Sequence, residues 1–163
     1  MFIRALTAFL VLPFTVAGII PLIIVLSDPW RGHALHLFGI PVAALGLFIL
    51  LWCVRDFYVS GKGTLAPWDP PKHLVITGLY RHSRNPMYVG VLTLLCGWAL
   101  FTASPLLTCY FLAFSVGFHL RVIFYEEPYL SKQFGAGWLA YCAKTPRWLL
   151  HKANPKHETR NPK

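Results

Sequence analysis

The chain has 163 residues, of which 56% are hydrophobic and 13% charged, with a formal net charge of +9 at pH 7. A mean hydropathy of +0.53 over so short a chain excludes a soluble globular domain and identifies an all-α integral membrane protein, because backbone polar groups in lipid must be paired inside helices. The positive balance does not point to nucleic acid: the basic residues flank apolar segments and form no domain of their own.

Crossing a hydrocarbon core of roughly 30 Å takes about 20 mainly apolar residues in a helix. Ala5 to Leu26 is the first such segment. It is longer than the apolar part of a secretory signal and lacks a small-x-small cleavage site, so it reads as a retained span, kinked at Pro13 and Pro21. A second span runs from about Leu37 to Val54, followed by a polar, Gly- and Pro-rich stretch from Arg55 to Asn85. The third and fourth, about Met87 to Phe101 and Leu106 to Phe124, are separated only by Thr-Ala-Ser-Pro, which predicts a tight hairpin. The third is short for a full crossing and is expected to tilt or to sit in a thinned bilayer.

Lysine and arginine in short loops favour the cytoplasmic side. Arg55, Lys62, Lys72, Arg81 and Arg84 lie between the second and third spans, and six more follow from Lys144 to Lys163, whereas the first external loop holds only Arg31. About four transmembrane helices with both termini in the cytoplasm satisfy this distribution. The basic cytoplasmic segments then face anionic headgroups. The expectation is one membrane-embedded domain over 1–150 and a basic, disordered tail over 151–163. After the fourth span, Leu130, Phe134, Trp138 and Tyr141 recur at helical spacing and predict a C-terminal amphipathic helix in the interface, weakened by Gly135 and Gly137. It serves either as an anchor or as a lid over a site at the ends of the third and fourth spans.

Glu126 and Glu127, two of only six acidic residues, are adjacent at the end of the fourth span. The carbonyl end of a helix is partially negative, so two carboxylates there call for a cation. Alternatively, Pro128 opens a new helix and the carboxylates precede its first turn. Arg121, Arg81 and Arg84 are available cations, and His119, seven residues before Glu126, is expected on the same helix face. The result is an expected pocket lined by Arg84, Asn85 and Tyr88 on one side and by His119, Arg121, Glu126 and Glu127 on the other, open to the cytosol and bordered by lipid. An ion-pair network that staples the hairpin and needs no ligand explains the same residues.

Arg84-Asn-Pro-Met-Tyr-Val-Gly90, then a helical hairpin, then Glu126-Glu-Pro-Tyr-Leu with Phe134-Gly and Trp138 to Tyr141 form paired blocks. Over about Gly78 to Trp148 this arrangement resembles the isoprenylcysteine carboxyl methyltransferase family and its relatives among phospholipid N-methyltransferases. Asn85 stands where the family often has histidine, and Trp138 where it has tyrosine. The resemblance implies a membrane enzyme that uses S-adenosylmethionine to methylate a lipid or lipid-modified acceptor, either at a carboxylate oxygen or at a phospholipid amine. It implies that Glu126 and Glu127 hold the cofactor's cationic end or ribose hydroxyls and that Arg84 holds its carboxylate. Asn85 and Tyr88 would stand beside it, with Pro86 and Gly90 shaping a close approach of the chain. On the acceptor side, Arg121 or Arg147 would neutralise a carboxylate or phosphate, with Tyr141 nearby, while Glu127 or His119 would serve as base for an amine. Glu127, Arg121 and His119 are thus the catalytic candidates.

No other motif carries comparable chemistry. Cys53, Cys96, Cys109 and Cys142 show neither metal-ligand nor redox spacing and read as small apolar residues. His33 and His36 could share one turn, Gly61 and Gly63 form a lone Gly-x-Gly, and Trp68 to Pro71 reads as a rigid interfacial loop; no metal is expected. A nicotinamide-dependent reductase of the sterol-reductase type and a non-catalytic membrane scaffold are the competing classes, separated by which cofactor, if any, the protein binds.

Overall fold

The computed structural model of the chain describes residues 10–30, 36–56, 59 and 73–149. His33, the Gly61–Gly63 pair, the Trp68 to Pro71 stretch and the tail from 150 onward lie outside these residues. Every regular element among the described residues is helical. A π-wound segment, α1 (Leu10–Ile19), runs directly into α2 (Ile20–Ser27), and α3 (Gly39–Asp56) follows. A 3₁₀ turn at Gly78–Arg81 precedes α4 (Pro86–Thr102) and α5 (Pro105–Arg121); a π turn, Val122–Glu126, then joins α5 to α6 (Glu127–Phe134), which α7 (Ala136–Lys144) follows. Two stretches are long and apolar enough to cross a membrane, α3 and the continuous Pro105–Phe134; Pro13–Ser27 and α4 are shorter apolar helices.

Prolines explain the π segments Leu10–Ile19 and Val122–Glu126. Pro13 lies inside α1, and a wider turn accommodates a residue that cannot donate back along the helix. Pro21 has no N–H either, and the Val16 carbonyl five residues before it accepts instead from the Tyr110 hydroxyl of α5, at 3.0 Å. At Pro128 the same device recurs: the Glu127 N–H reaches back five residues to the Val122 carbonyl. The fourth apolar segment therefore does not stop near Phe124. Its helix continues to Phe134, so Glu126 and Glu127 stand within a helix and not at its negative end.

The tightest packing joins α3 to α4 rather than α4 to α5. A Cβ added at Gly46 would lie 2.2 Å from the Leu94 nitrogen, and one at Gly97 would lie 2.3 Å from the Ala43 nitrogen. Gly39 faces the Phe101 backbone and Gly90 faces Ile49 and Leu50 in the same seam. Two antiparallel backbones touch along glycines spaced seven apart on each helix, the small-residue packing that lipid-embedded helices use in place of a hydrophobic drive. Against this pair, Ala17, Leu50, Val91 and Leu95 form the buried core, with Tyr110, Phe111, Phe114 and Phe118 of α5 around it.

At the α2 end of the bundle, buried Asp28 accepts from the Ser104 hydroxyl, from the Leu106 N–H and from the Trp30 N–H. Ser104 in turn caps α5 by accepting from the Leu107 N–H. The intervening turn carries Ala103 at φ 48°, a left-handed conformation that costs a residue with a Cβ. The opposite end carries the polar groups described next. There the sequence-predicted amphipathic helix is two helices: Gly135 adopts φ 50°, ψ −122° and breaks it. The predicted inner face persists across the break, with Trp138 and Tyr141 buried.

Candidate functional site

The site is assembled by three segments: the loop that enters α4, the π turn leading into α6, and the strand-like exit from α7. Asn85 precedes α4, and its N–H is held by the Ser83 hydroxyl at 3.1 Å. Pro86 opens the helix, where a missing N–H costs nothing. From this entrance Arg84 and Tyr88 reach the carboxylates. Arg84 Nη1 lies 3.0 Å from Glu127 Oε1 and donates to the Cys142 sulfur at 2.8 Å, with its guanidinium 5.7 Å from the centre of the Trp138 ring. The Tyr88 hydroxyl donates to Glu126 Oε1. Its ring stacks on Phe118 at 4.4 Å between centroids.

Arg121 Nε donates to Glu126 at 2.8 Å and to the Tyr88 oxygen at 3.2 Å. An ion pair between positions five apart is what a π turn brings into register. The same turn rotates Glu126 away from the α-helical phase of His119. Instead of meeting a carboxylate, His119 accepts the Trp148 indole N–H at Nδ1, 3.2 Å away.

The exit from α7 closes the cluster. Arg147 makes a two-pronged contact with Glu127, Nε to Oε1 and Nη2 to Oε2, both at 2.8 Å, and that contact strengthens its hold on its own proton. Its carbonyl accepts from Asn85 Nδ2 at 3.0 Å and from the Ser83 hydroxyl at 3.3 Å, while the Pro146 carbonyl accepts the Arg84 N–H at 2.9 Å. Tyr141 is set apart: its hydroxyl donates to the Tyr80 carbonyl at 2.6 Å, and burial raises its phenol above the ordinary range. Gly90 likewise looks away, its close approach being to α3.

The cluster therefore holds three guanidinium groups, Arg84, Arg121 and Arg147, against two carboxylates, and is left with one positive charge. Arg84 Nε is buried with no hydrogen-bond partner. An open apolar groove of about 350 Å³ lies alongside, lined by Leu92 of α4, Ser115, Val116 and His119 of α5, and Trp148. Among the described residues no group of His, Cys, Asp and Glu could hold a metal ion.

Sequence reasoning passed over Asn85 as a clamp on the C-terminal segment and Trp148 as the partner of His119.

Residues 34–137, well over half of the chain, match the family model described as phospholipid methyltransferase. No curated protein and no solved structure matches the chain.

Proposed function

Because the chain belongs to the phospholipid methyltransferase family, we propose that it is an S-adenosylmethionine-dependent enzyme that methylates a lipid or lipid-modified acceptor at the cytoplasmic face of a membrane. The reading rests above all on one meeting of segments, in a chain of this family: the α4 entrance against the α5–α6 carboxylates, with Arg84 on Glu127 and Tyr88 on Glu126.

The side chains present fit the cofactor. Arg84, with an unpartnered Nε and in a cluster of net positive charge, suits its carboxylate. Glu126 and Glu127 suit its ammonium or hydroxyl donors, and the Trp138 and Tyr88 rings offer aromatic surface to a sulfonium. When bound, the cofactor supplies a methyl group on a positively charged sulfur, and that charge disappears on transfer. The protein's work is then alignment and exclusion of water. Arg147 fixes the Glu127 carboxylate with both prongs, and Arg121 fixes Glu126. The groove along α4 and α5 would take the acceptor's apolar part from the bilayer.

Of the two acceptor chemistries, the geometry favours a carboxylate. An amine must lose a proton before it attacks, yet Glu127 has both oxygens engaged by arginines. In neutral His119, a Nδ1 that accepts from Trp148 puts the ring's own proton on Nε2, so the ring offers no free acceptor, and of the sequence-predicted bases neither is open. A carboxylate needs no base, and the cluster's residual positive charge attracts it.

Incubation with methyl-labelled S-adenosylmethionine and source membranes should place label in the lipid or lipidated fraction, and alkali should release it as methanol; label that survives alkali would mean N-methylation. Glu127→Gln and Arg84→Met should each weaken binding of S-adenosylhomocysteine by roughly ten- to a hundredfold. Unchanged affinity with a lower melting temperature would show that the cluster only staples helices. For topology we infer four crossings with both termini in the cytoplasm, from the lysine and arginine distribution. A cysteine introduced at exposed Arg81 should label only from the cytoplasmic side, and labelling only from outside would overturn that arrangement.

A further inference from the structure

Two buried side-chain polar atoms among the described residues have no hydrogen-bond partner, Asp56 Oδ2 and Arg84 Nε. One accepts and the other donates, and they serve the two ends of one short loop. Gly78 opens the loop against the Asp56 carboxylate; Arg84 closes it against Glu127. Arg84 is already placed in the proposed cofactor site. Asp56 has no role in anything described above.

The position of Asp56 is unfavourable on several counts. Its side chain is 8% exposed, and its ion pair is to Arg55, 3.6 Å from Oδ1 and itself 70% exposed, a solvated contact of little weight. Among the described residues no other cation is paired with it: Cys53 and Tyr80 are buried beside it, and Gly78 adopts φ +57° with Asp56 Oδ2 only 2.0 Å from where a Cβ would sit. The glycine makes room for the carboxylate, and nothing described donates to its second oxygen. A buried acceptor left in that state carries its desolvation cost without return. Asparagine or leucine would be a less costly occupant for a purely structural position.

We propose that Asp56 is a further ligand-binding residue of the cofactor site, whose free oxygen accepts a hydrogen bond from an O–H or N–H donor of the nucleoside-bearing cofactor. The proposal rests on the S-adenosylmethionine reading and extends the site from the Arg84–Glu127 cluster across the Gly78–Arg84 loop to the end of α3. The ligand carries two sources of such donors, the ribose hydroxyls and the amino-acid ammonium. Both would satisfy an oxygen, Oδ2, that has no hydrogen-bond partner among the described residues, and Arg84 at the other end of the loop supplies the complementary donor for the ligand's carboxylate.

The test uses the full-length protein in nanodiscs, wild type and Asp56→Asn, with thermal melting of the ligand-free protein and calorimetric titration by S-adenosylhomocysteine and by 5′-methylthioadenosine, which lacks the amino-acid end. The expected result is an apo melting temperature equal to or above wild type, with affinity for S-adenosylhomocysteine about ten- to a hundredfold lower. A matching loss for 5′-methylthioadenosine assigns the bond to the ribose; retained affinity for it assigns the bond to the ammonium. Wild-type affinity in the variant overturns the proposal, as does an apo melting temperature that falls while the folded fraction binds normally. Should the asparagine amide prevent folding against Gly78, Asp56→Ala decides by the same two measurements. Failure of wild-type protein to bind either ligand would instead remove the cofactor reading itself, and this residue assignment with it.

Discussion

Asp28 and Asp56 are both buried carboxylates, 4% and 6% exposed, yet they live in opposite circumstances. Asp28 accepts from a hydroxyl and two backbone N–H groups and sits beside the N-terminus of α5, whose positive end favours it. Asp56 has one oxygen with no hydrogen-bond partner among the described residues. Burial alone therefore says little about what a carboxylate does; the state of its lone pairs says much more. The α2 end of the bundle is closed by its own donors, whereas the end that carries the Arg84–Glu127 cluster keeps groups in reserve.

The contrast can be broken by substitution. Asp28→Ala strands the Ser104 hydroxyl and the Leu106 and Trp30 N–H groups at once, and should lower stability by about 2–3 kcal/mol in a denaturant or thermal melt. A change as small as that expected for Asp56→Asn would erase the distinction between the two ends. At the open end, Trp148→Phe removes one hydrogen bond to His119 and should cost only about 0.5–1 kcal/mol. It should also free Nδ1 of His119, so any amine methylation would rise relative to wild type in a labelling assay; a stability loss as large as that of Asp28→Ala would mean that this end is closed too. The smallest effect is a gain. Ala103→Gly relieves the left-handed strain in the turn at the closed end and should raise stability by about 0.5 kcal/mol, and a loss there would show that the Ala103 methyl packs more than it strains.

The juxtaposition of the two motif blocks was legible in the sequence because each is short and charged and the hairpin between them brings its own ends together. Arg84 meets Glu127, Tyr88 meets Glu126, and Arg121 joins them. The pairing of helices was not. The short turn between the third and fourth apolar segments suggested that α4 and α5 form the tight pair, but the closest backbones belong to α3 and α4. Gly39 with Gly46 and Gly90 with Gly97, each pair seven apart, carried that signal, since glycines two turns apart share a face and let backbones touch. The inference that Glu126 lies at a negative helix end failed for a local reason: Pro128 is absorbed by a π turn and the helix runs on to Phe134.

By itself, the sequence determined that the chain is helical, apolar and positively biased between its spans, because these follow from composition and from the requirement that backbone groups be paired in lipid. It also determined which charged residues are available to a site. Only the tertiary structure decided how they are used. The phase shift of a π turn took His119 from Glu126 and gave Arg121 to it, and the return of the chain after α7 delivered Arg147 to Glu127 and Trp148 to His119. The packing of the Gly78 loop against α3 left Asp56 Oδ2 buried with no hydrogen-bond partner among the described residues. Each of these depends on contacts between residues far apart in the chain or on one extra residue in a helical turn, and neither leaves a periodic trace in the sequence.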